Sequence, residues 1–401
     1  MNPHRSRRLL LTIHSLPAGG AEKFFVNLAL ALAAHHDVRC FIPCLAFADR
    51  GMRSRLADIP LTSAPHLNES AYWLFYKCRQ LIRNKWPHID IELRLNQSLI
   101  RRLHRRHQFH LVNTHLYLAS QYACAAFAKD TLPIVESDHG HYAFLPPAEH
   151  PHAQPIFDRL TALVHPCHAN ASFSQTLPWH PALIRRVIPY GSLPPAPSRT
   201  PTTPPPSDAL VHIGMVARGV EEKGWLEALA ACRLLRSQNL THFTLTLIGD
   251  GPCLQQIRPS LTPSEQTWIT LLGHLDQPET QLPRFHIGLL PTFLPGESLP
   301  NTIIEYLNAS LPIVTTPVGG IPEMLATPAG PAGILVPLAP SGRADIPSLA
   351  AALHSLITEP TRRAELASLT TLARQPFEMT RCLASYTALF DELLESPHAE
   401  P

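Results

Sequence analysis

The sequence predicts an α/β protein built from two doubly wound, parallel-sheet domains, on three observations. Short apolar runs alternate with helical patterns along the whole chain. The rhythm breaks once, in a proline-rich stretch at 191–207, and then restarts. The length of 401 residues exceeds what one compact core usually holds. Apolar residues make up 45% of the chain and charged residues 16%. That balance excludes a disordered chain, which needs fewer apolar residues and more charge. The 42 prolines are scattered through varied sequence, so they mark loops and helix starts.

In the first half, strands are expected at 9–14, 38–42, 110–113, 134–136, 162–164 and 186–189. A helix is expected at 22–34, between the first two. This is the β-α-β rhythm of a parallel sheet covered on both faces. The segment GSLPPAPSRTPTTPPPS at 191–207 cannot pack a core and favours extended conformations, so it reads as a linker. Beyond it, strands are expected at 210–216, 243–248, 268–272, 287–291, 313–315 and 334–336, and helices at 226–236, 301–308 and 348–357. The organisation is therefore an N-terminal domain over 1–190, the linker, and a C-terminal domain over 208–375. A last helix over 376–401 is expected to pack back on the N-terminal domain. Two such domains imply a central cleft between them, because open α/β sheets place ligands at the C-terminal ends of their strands.

The net charge of +2 hides an asymmetry. Residues 1–190 carry 21 basic and 12 acidic side chains, and the remainder carries 12 and 19. A basic half suits an anionic partner such as a phosphorylated substrate or a membrane surface; pairing of the two halves with each other is the alternative. Segment 71–86 mixes aromatics with four cations, and 99–107 adds Arg101, Arg102, Arg105 and Arg106. They suit an anionic membrane interface or ordinary helices packed on the sheet. No recognised nucleic-acid module appears, and the arginines do not alternate with stacking aromatics, so no nucleic-acid partner is expected. No run approaches the 18 apolar residues of a membrane span. The eight cysteines show no CxxC or CxxH spacing, so no structural zinc is expected, and scattered thiols fit a reducing compartment. The apolar run at 9–13 is too short for a signal peptide. A cytoplasmic protein, peripheral at most on the inner face of the membrane, is the expectation.

Three segments carry chemistry. HSLPAGGAE at 14–22 joins the first strand to the first helix. Gly19 and Gly20 let the turn be tight and its N–H groups face an anion at a helix N-terminus. A plain strand-to-helix turn is the alternative. GMVARGVEEKG at 214–224 places Arg218 and Lys223 in one loop before a helix, where two cations suit a diphosphate. The alternative is a solvated charged loop. PTFLPGESLPNTIIE at 291–305 presents Glu297 in a loop and Glu305 on the helix that follows. Carboxylates accept hydrogen bonds from sugar hydroxyls, and the N–H groups of Ser298 and Leu299 suit a phosphate. A helix with one favourable acid near its start is the alternative.

Taken together these segments resemble the GT-B glycosyltransferases of the large retaining family 4, the glycosyl transferases group 1. GGAEKFFVNLALAL (19–32) is similar to that family's first loop and helix, and GMVARGVEEKG to its GRLxxEKG segment. LIGDGP (247–252), LLGHL (271–275) and LPIVTTPVGGIPEML (311–325) follow in the family's order, and Glu297 to Glu305 matches its E-x7-E motif. The resemblance covers most of the chain. It implies a GT-B fold and transfer of a sugar, with retention, from a nucleotide diphosphate sugar to the hydroxyl of a saccharide or lipid-linked saccharide, as in lipopolysaccharide or polysaccharide synthesis. Arg218 and Lys223 match the donor-diphosphate pair, Glu297 the acid on the donor sugar, and Glu305 the acid on the ribose. His139, in VESDHGH, matches the first-domain histidine near the reacting carbon. Gly19 and Gly20 match the loop facing phosphates and acceptor, and His115, in VNTHLY, a further cleft position. No cofactor beyond the nucleotide sugar co-substrate is implied, and no metal: Asp90-Ile-Glu92 fits a DxD pattern only in its letters. Ser298 stands where the family usually has glycine, and Leu294-Pro-Gly296 replaces a more polar lead-in; both changes bear on donor preference. The alternatives are a GT-B sugar-nucleotide epimerase and a non-catalytic sugar-nucleotide-binding protein.

Overall fold

The structure, a computed structural model, describes residues 6–46, 48–64, 77, 81, 90–193 and 210–395. Most of the proline-rich linker, segment 71–86 apart from two residues, and Cys78 lie outside the described residues. The chain divides into two compact units, Met1–Leu193 with Met379–Pro401, and Pro194–Glu378.

The first unit holds seven parallel strands: β1 Arg8–Ile13, β2 Asp37–Phe41, β3 Leu61–Thr62, β4 Leu111–His115, β5 Ile134–Ser137, β6 Ala162–His165 and β7 Ile184–Val187. Their order is β3-β2-β1-β4-β5-β6-β7, so the winding reverses between β1 and β4. β1, β4, β5 and β6 are buried on both faces of the sheet; their apolar residues fill the core, and polar ones such as Asn113 and Glu136 are buried with hydrogen-bond partners. The strand expected at 186–189 lies two residues earlier, and the two-residue edge strand β3 was not expected. On one face, Leu10, Val112 and Leu163 pack with Ile100, Phe127 and Phe157 from the crossover helices. Segment 99–107 belongs to the Ile91–His107 helix, which packs on the Tyr117–Ala126 helix and anchors there through Arg101 Nε to Ala126 O (2.7 Å). Asp90 is that helix's N-cap, accepting from Leu93 N at 2.9 Å. On the other face the Gly20–Ala33 helix packs against the Met379–Glu395 helix, with Phe24 6.3 Å from Tyr386. Arg186 ties β7 to that last helix through Glu392 (2.7 Å).

The second unit holds six parallel strands: β8 Val211–Val216, β9 Phe243–Ile248, β10 Ile269–Gly273, β11 Ile287–Leu290, β12 Ile313–Thr315 and β13 Gly333–Leu335. The order β10-β9-β8-β11-β12-β13 reverses between β8 and β11. The last strand covers 333–335 rather than the expected 334–336. β8 and β11 pair only at Ile213–Ile287 and Gly214–Gly288. Tyr306, on the Asn301–Asn308 helix, bridges them where they part: its hydroxyl accepts from Val216 N (2.9 Å) and lies 3.1–3.2 Å from Gly214 O and Leu289 O. A side chain at Gly288 would occupy the space of the Tyr306 ring, 2.5 Å from a ring carbon. Both sheets thus have the reversal that opens a crevice at strand C-terminal ends.

Among the described residues no helix is long and apolar enough to cross a membrane, and the seven cysteines are free, buried thiols.

Candidate active site

In the second unit, two loops leave the sheet side by side at the β8–β11 reversal. The first runs from Ala217 to Gly224 and ends in a 3-10 turn over Glu221–Lys223. The second runs from Pro291 to Pro300. The backbone joins them: Phe293 N donates to Glu222 O at 2.8 Å. Lys223 Nζ then forms an ion pair with Glu297 Oε2, in which the side chains are 11% and 8% exposed. Thr292 Oγ1 stands 3.0 Å from both that carboxylate oxygen and Glu222 O. With one proton it donates to one of them at a time. From behind, Gly320 N donates to the carbonyls of Glu297 and Ser298 (3.2 and 3.1 Å), so the 318–320 turn fixes the backbone that carries the acid.

Arg218 lies in the first loop and Glu305 on the helix that follows the second. Arg218 is exposed, and among the described residues its guanidinium has no hydrogen bond or ion pair. Glu305 is half-buried. It lies one turn after Thr302, whose hydroxyl donates to Val216 O at the end of β8 (2.9 Å), so Glu305 shares the face that abuts the first loop. The Asn301–Asn308 helix has Pro300 as its N-cap. The leading amides are therefore those of Asn301 and Thr302; Ser298 and Leu299 lie upstream in the loop, both buried.

In the first unit, His115 closes β4 and His139 follows β5, and the structure brings them together. His115 Nδ1 is 3.1 Å from His139 Nε2, and His115 Nε2 is 3.1 Å from Asn113 Oδ1. His139 Nδ1 is 2.7 Å from the Tyr190 hydroxyl. The proton positions follow from Asn113. Its amide nitrogen donates to Val135 O (3.0 Å) and Ser137 Oγ (3.1 Å), which leaves its oxygen facing His115. His115 must then carry its proton on Nε2 and accept on Nδ1 from His139 Nε2–H. His139 in turn accepts on Nδ1 from Tyr190. Burial holds both rings neutral: it lowers His139 to about 4, and His115 further below its ordinary value with help from its neighbour. A ring with both nitrogens engaged has none left to exchange a proton with a substrate. Beside this chain, Asp138 accepts from Gly140 N (2.8 Å) and pairs with His165 (3.1 Å), which meets Ser174 Oγ at 2.9 Å. That order of acid, imidazole and hydroxyl is buried throughout, and it braces the turn after β5.

Gly19 is the N-cap of the Gly20–Ala33 helix in extended conformation, with no side chain capping the helix from that position. The space beside it is filled: a β-carbon there would lie 2.1 Å from Glu22 Oε2. Glu22, three residues on and buried, thus brings its own negative charge to the positive end of the helix. The turn expected to face a ligand's anion is lined by the chain's own carboxylate.

A sequence model for the family described as glycosyl transferases group 1 matches residues 208–359. The second unit is a glycosyl transferases group 1 domain. The chain is also 31% identical over 122 residues to an amylovoran biosynthesis glycosyltransferase, AmsK, from Erwinia amylovora, covering 29% of this chain and 30% of that protein. It is 31% identical over 129 residues to the putative colanic acid biosynthesis glycosyltransferase WcaL of Salmonella typhimurium, covering 30% and 31%. It spans about a third of the length of these curated relatives. The crystal structure of Anabaena Alr3699/HepE in complex with UDP and glucose superposes with a TM-score of 0.74 at 16% identity, over 96% of this chain and 100% of that one. The architecture of two parallel-sheet α/β units is the GT-B fold.

Within the group 1 domain the structure joins Lys223 to Glu297 directly and sets Arg218 and Glu305 on adjoining elements. It adds two residues that sequence reading missed. Thr292, the second residue after β11, sits inside the TFLPGE loop and only its position before Glu297 hints at a contact. Arg343 lies far along the chain yet bonds Glu221 and Glu227 of the first loop and helix. In the first unit the missed residues are Asn113, two positions before His115 on the same strand face, and Tyr190, which no motif marks.

Proposed function

We propose that the chain transfers a sugar from a nucleoside diphosphate sugar to a hydroxyl of a saccharide or lipid-linked saccharide, with retention, in the assembly of an extracellular polysaccharide. The observation that supports this most is the Lys223–Glu297 pair at the β8–β11 reversal of a glycosyl transferases group 1 domain. A cation that meets phosphate and a carboxylate that meets sugar hydroxyls are already adjacent there. The relatives named for amylovoran and colanic acid synthesis suggest the class of product, and the fold neighbour bound to UDP and glucose suggests the class of donor.

In this proposal Arg218 and Lys223 take the diphosphate, and their charge stabilises the leaving group as the glycosidic bond breaks. The backbone around Ser298 and Leu299 lies against the phosphates, Glu297 takes hydroxyls of the donor sugar, and Glu305 takes the ribose. In this reading Arg218 and Lys223 carry the role at the leaving group, with no metal ion. The Gly19–Gly20 turn borders the acceptor. His139, locked to His115 and Tyr190, shapes the wall beside the reacting carbon and moves no proton. This reading uses no side chain as a covalent nucleophile; attack on the donor's own face, assisted by the departing phosphate, gives retention. The first unit's basic excess, with Arg94, Arg102, Arg105 and Arg106 exposed on one helix, suits an anionic acceptor or the membrane surface that carries it.

A thermal-shift screen of the full chain against UDP-, GDP- and ADP-sugars tests the donor. A ligand at a hundredfold excess over its Kd stabilises the folded state by about 2.7 kcal/mol. One sugar nucleotide should raise the melting temperature of the wild type, and not of Arg218→Ala. No shift with any of them would count against the proposal.

A further inference from the structure

Arg343 belongs to none of the motifs above. It sits in a turn after β13 that closes on itself through Ala339 N to Arg343 O (2.8 Å) and a Leu338–Ala344 bridge. Its guanidinium meets three groups. Nη1 pairs with Glu221, Nε donates to Glu227 Oε1 at 2.6 Å, and Cζ lies 4.8 Å from the centre of the Phe293 ring. Glu221 opens the turn that ends in Lys223, and Glu227 stands in the first turn of the Trp225–Ser237 helix that follows it. Phe293 lies in the other loop, four residues before Glu297. One side chain therefore touches both loops that carry the ion pair. A guanidinium, a rigid fork of donors that also sits over aromatic rings, suits two carboxylates and a ring together better than the compact ammonium of lysine.

We propose that Arg343 is a positioning residue for the donor site, clamping the Glu221–Lys223 turn against the Phe293–Glu297 loop so that Lys223 and Glu297 keep their spacing. It rests on the donor reading above only for its effect on turnover; the clamp itself is a property of the ligand-free protein.

Arg343→Leu leaves Glu227 buried beside no cation and risks the fold, so Arg343→Lys is the main variant, since it keeps one pairing and the charge. Hydrogen exchange on the full chain without ligand should show the amides of Phe293, Leu294 and Glu297 exchanging faster in Arg343→Lys, with those of β9 unchanged. With the sugar nucleotide identified for the wild type, kcat should fall by roughly 10–10²-fold, the scale of a small misplacement of reacting groups. Inhibition by the matching free nucleoside diphosphate should weaken as well, because Lys223, whose place the clamp sets, shares the diphosphate with Arg218. Unchanged exchange in the loop overturns the proposal, as does faster exchange spread evenly through the second unit. So does wild-type kcat in Arg343→Lys, which would show that charge alone suffices. If no sugar nucleotide binds the wild type, the donor reading falls and the exchange result still decides the clamp.

Discussion

Lys223 and Glu297 are 74 residues apart in the chain and meet as an ion pair almost shielded from water. Each charge is tolerated there because the other is present. Removing one partner of such a pair strands the other and costs about 3–5 kcal/mol, whereas removing both charges is often nearly neutral. Lys223→Ala is therefore expected to lower unfolding stability by that order, and Lys223→Ala with Glu297→Gln to recover most of it. Turnover should not recover, because the double variant lacks the cation proposed for the leaving group, and it should sit about 10²–10³ below wild type. Denaturant titration and initial rates on the four proteins of this cycle check both parts. Failure of the second change to restore stability would mean that the two charges are not coupled.

Gly319 has φ +55, and a β-carbon there would lie 1.5 Å from Glu297 O. Gly319→Ala cannot be relieved by a side-chain rotation, because the obstacle is backbone. It should push the Glu297 segment out of place, and turnover should fall at least as far as in Glu297→Gln. Gly273→Ala is the control: its φ of +75 carries the same left-handed cost of about 1–2 kcal/mol, but no atom lies within 4 Å of the added carbon. It should lose stability alone and keep full turnover. Equal rates in the two variants would show that Gly319 matters only for its dihedral angle.

The strands were legible because buried parallel strands are short apolar runs that nothing else in the chain imitates: VHIGMV and FTLTLI became β8 and β9 with bounds within one residue. The Ile91–His107 helix was legible only in part, as one of two readings of 99–107, because so many of its residues are charged and only Glu92, Asn96 and Ile100 of its 17 are buried. Arg218, Lys223, Glu297 and Glu305 could be singled out by motif, but spacing says nothing about contacts across loops. The Lys223–Glu297 pairing, the part of Thr292 and the grip of Arg343 depend on how the two loops lie against each other. Likewise, the motif marked His139, while its occupied nitrogens depend on which way the Asn113 amide points, a matter of local packing.

That orientation makes a prediction of its own. Nitrogen-15 NMR of the histidine rings in the full chain should show His115 and His139 both protonated on Nε2 and bare on Nδ1, unchanged from pH 5.5 to 8, since both rings are held well below their ordinary range. Tyr190→Phe removes the donor to His139 Nδ1 and leaves a buried acceptor unpaired, at a cost of about 1–3 kcal/mol. It should not create a histidine step in the pH–rate profile. A His139 proton found on Nδ1, or such a step in the wild type, would reverse the assignment and reopen proton transfer by this ring.

Glu136, in the middle of β5 and 1% exposed, is held by the Tyr142 hydroxyl at 2.8 Å. Burial, reinforced by nearby Asp138, pushes its carboxyl up to about 8 from an ordinary 4.5. Between those values the folded protein keeps a proton that the unfolded chain gives up, so stability falls as pH rises. Below about 6.5 the buried histidines act in the opposite sense, because their depressed values make the folded state gain stability as pH rises through that range. That gain tails off only by about pH 7.5, but it is common to the wild type and to Glu136→Gln, so the difference between the two proteins isolates Glu136. Relative to Glu136→Gln, the wild type should lose about 2 kcal/mol of unfolding stability between pH 6.5 and 8, and that difference should level off beyond. Glu136→Gln, neutral at every pH and of the same shape, removes the part of the slope that Glu136 supplies and leaves the rest. Parallel curves for the two proteins across that interval would show that Glu136 is already ionised in the folded state.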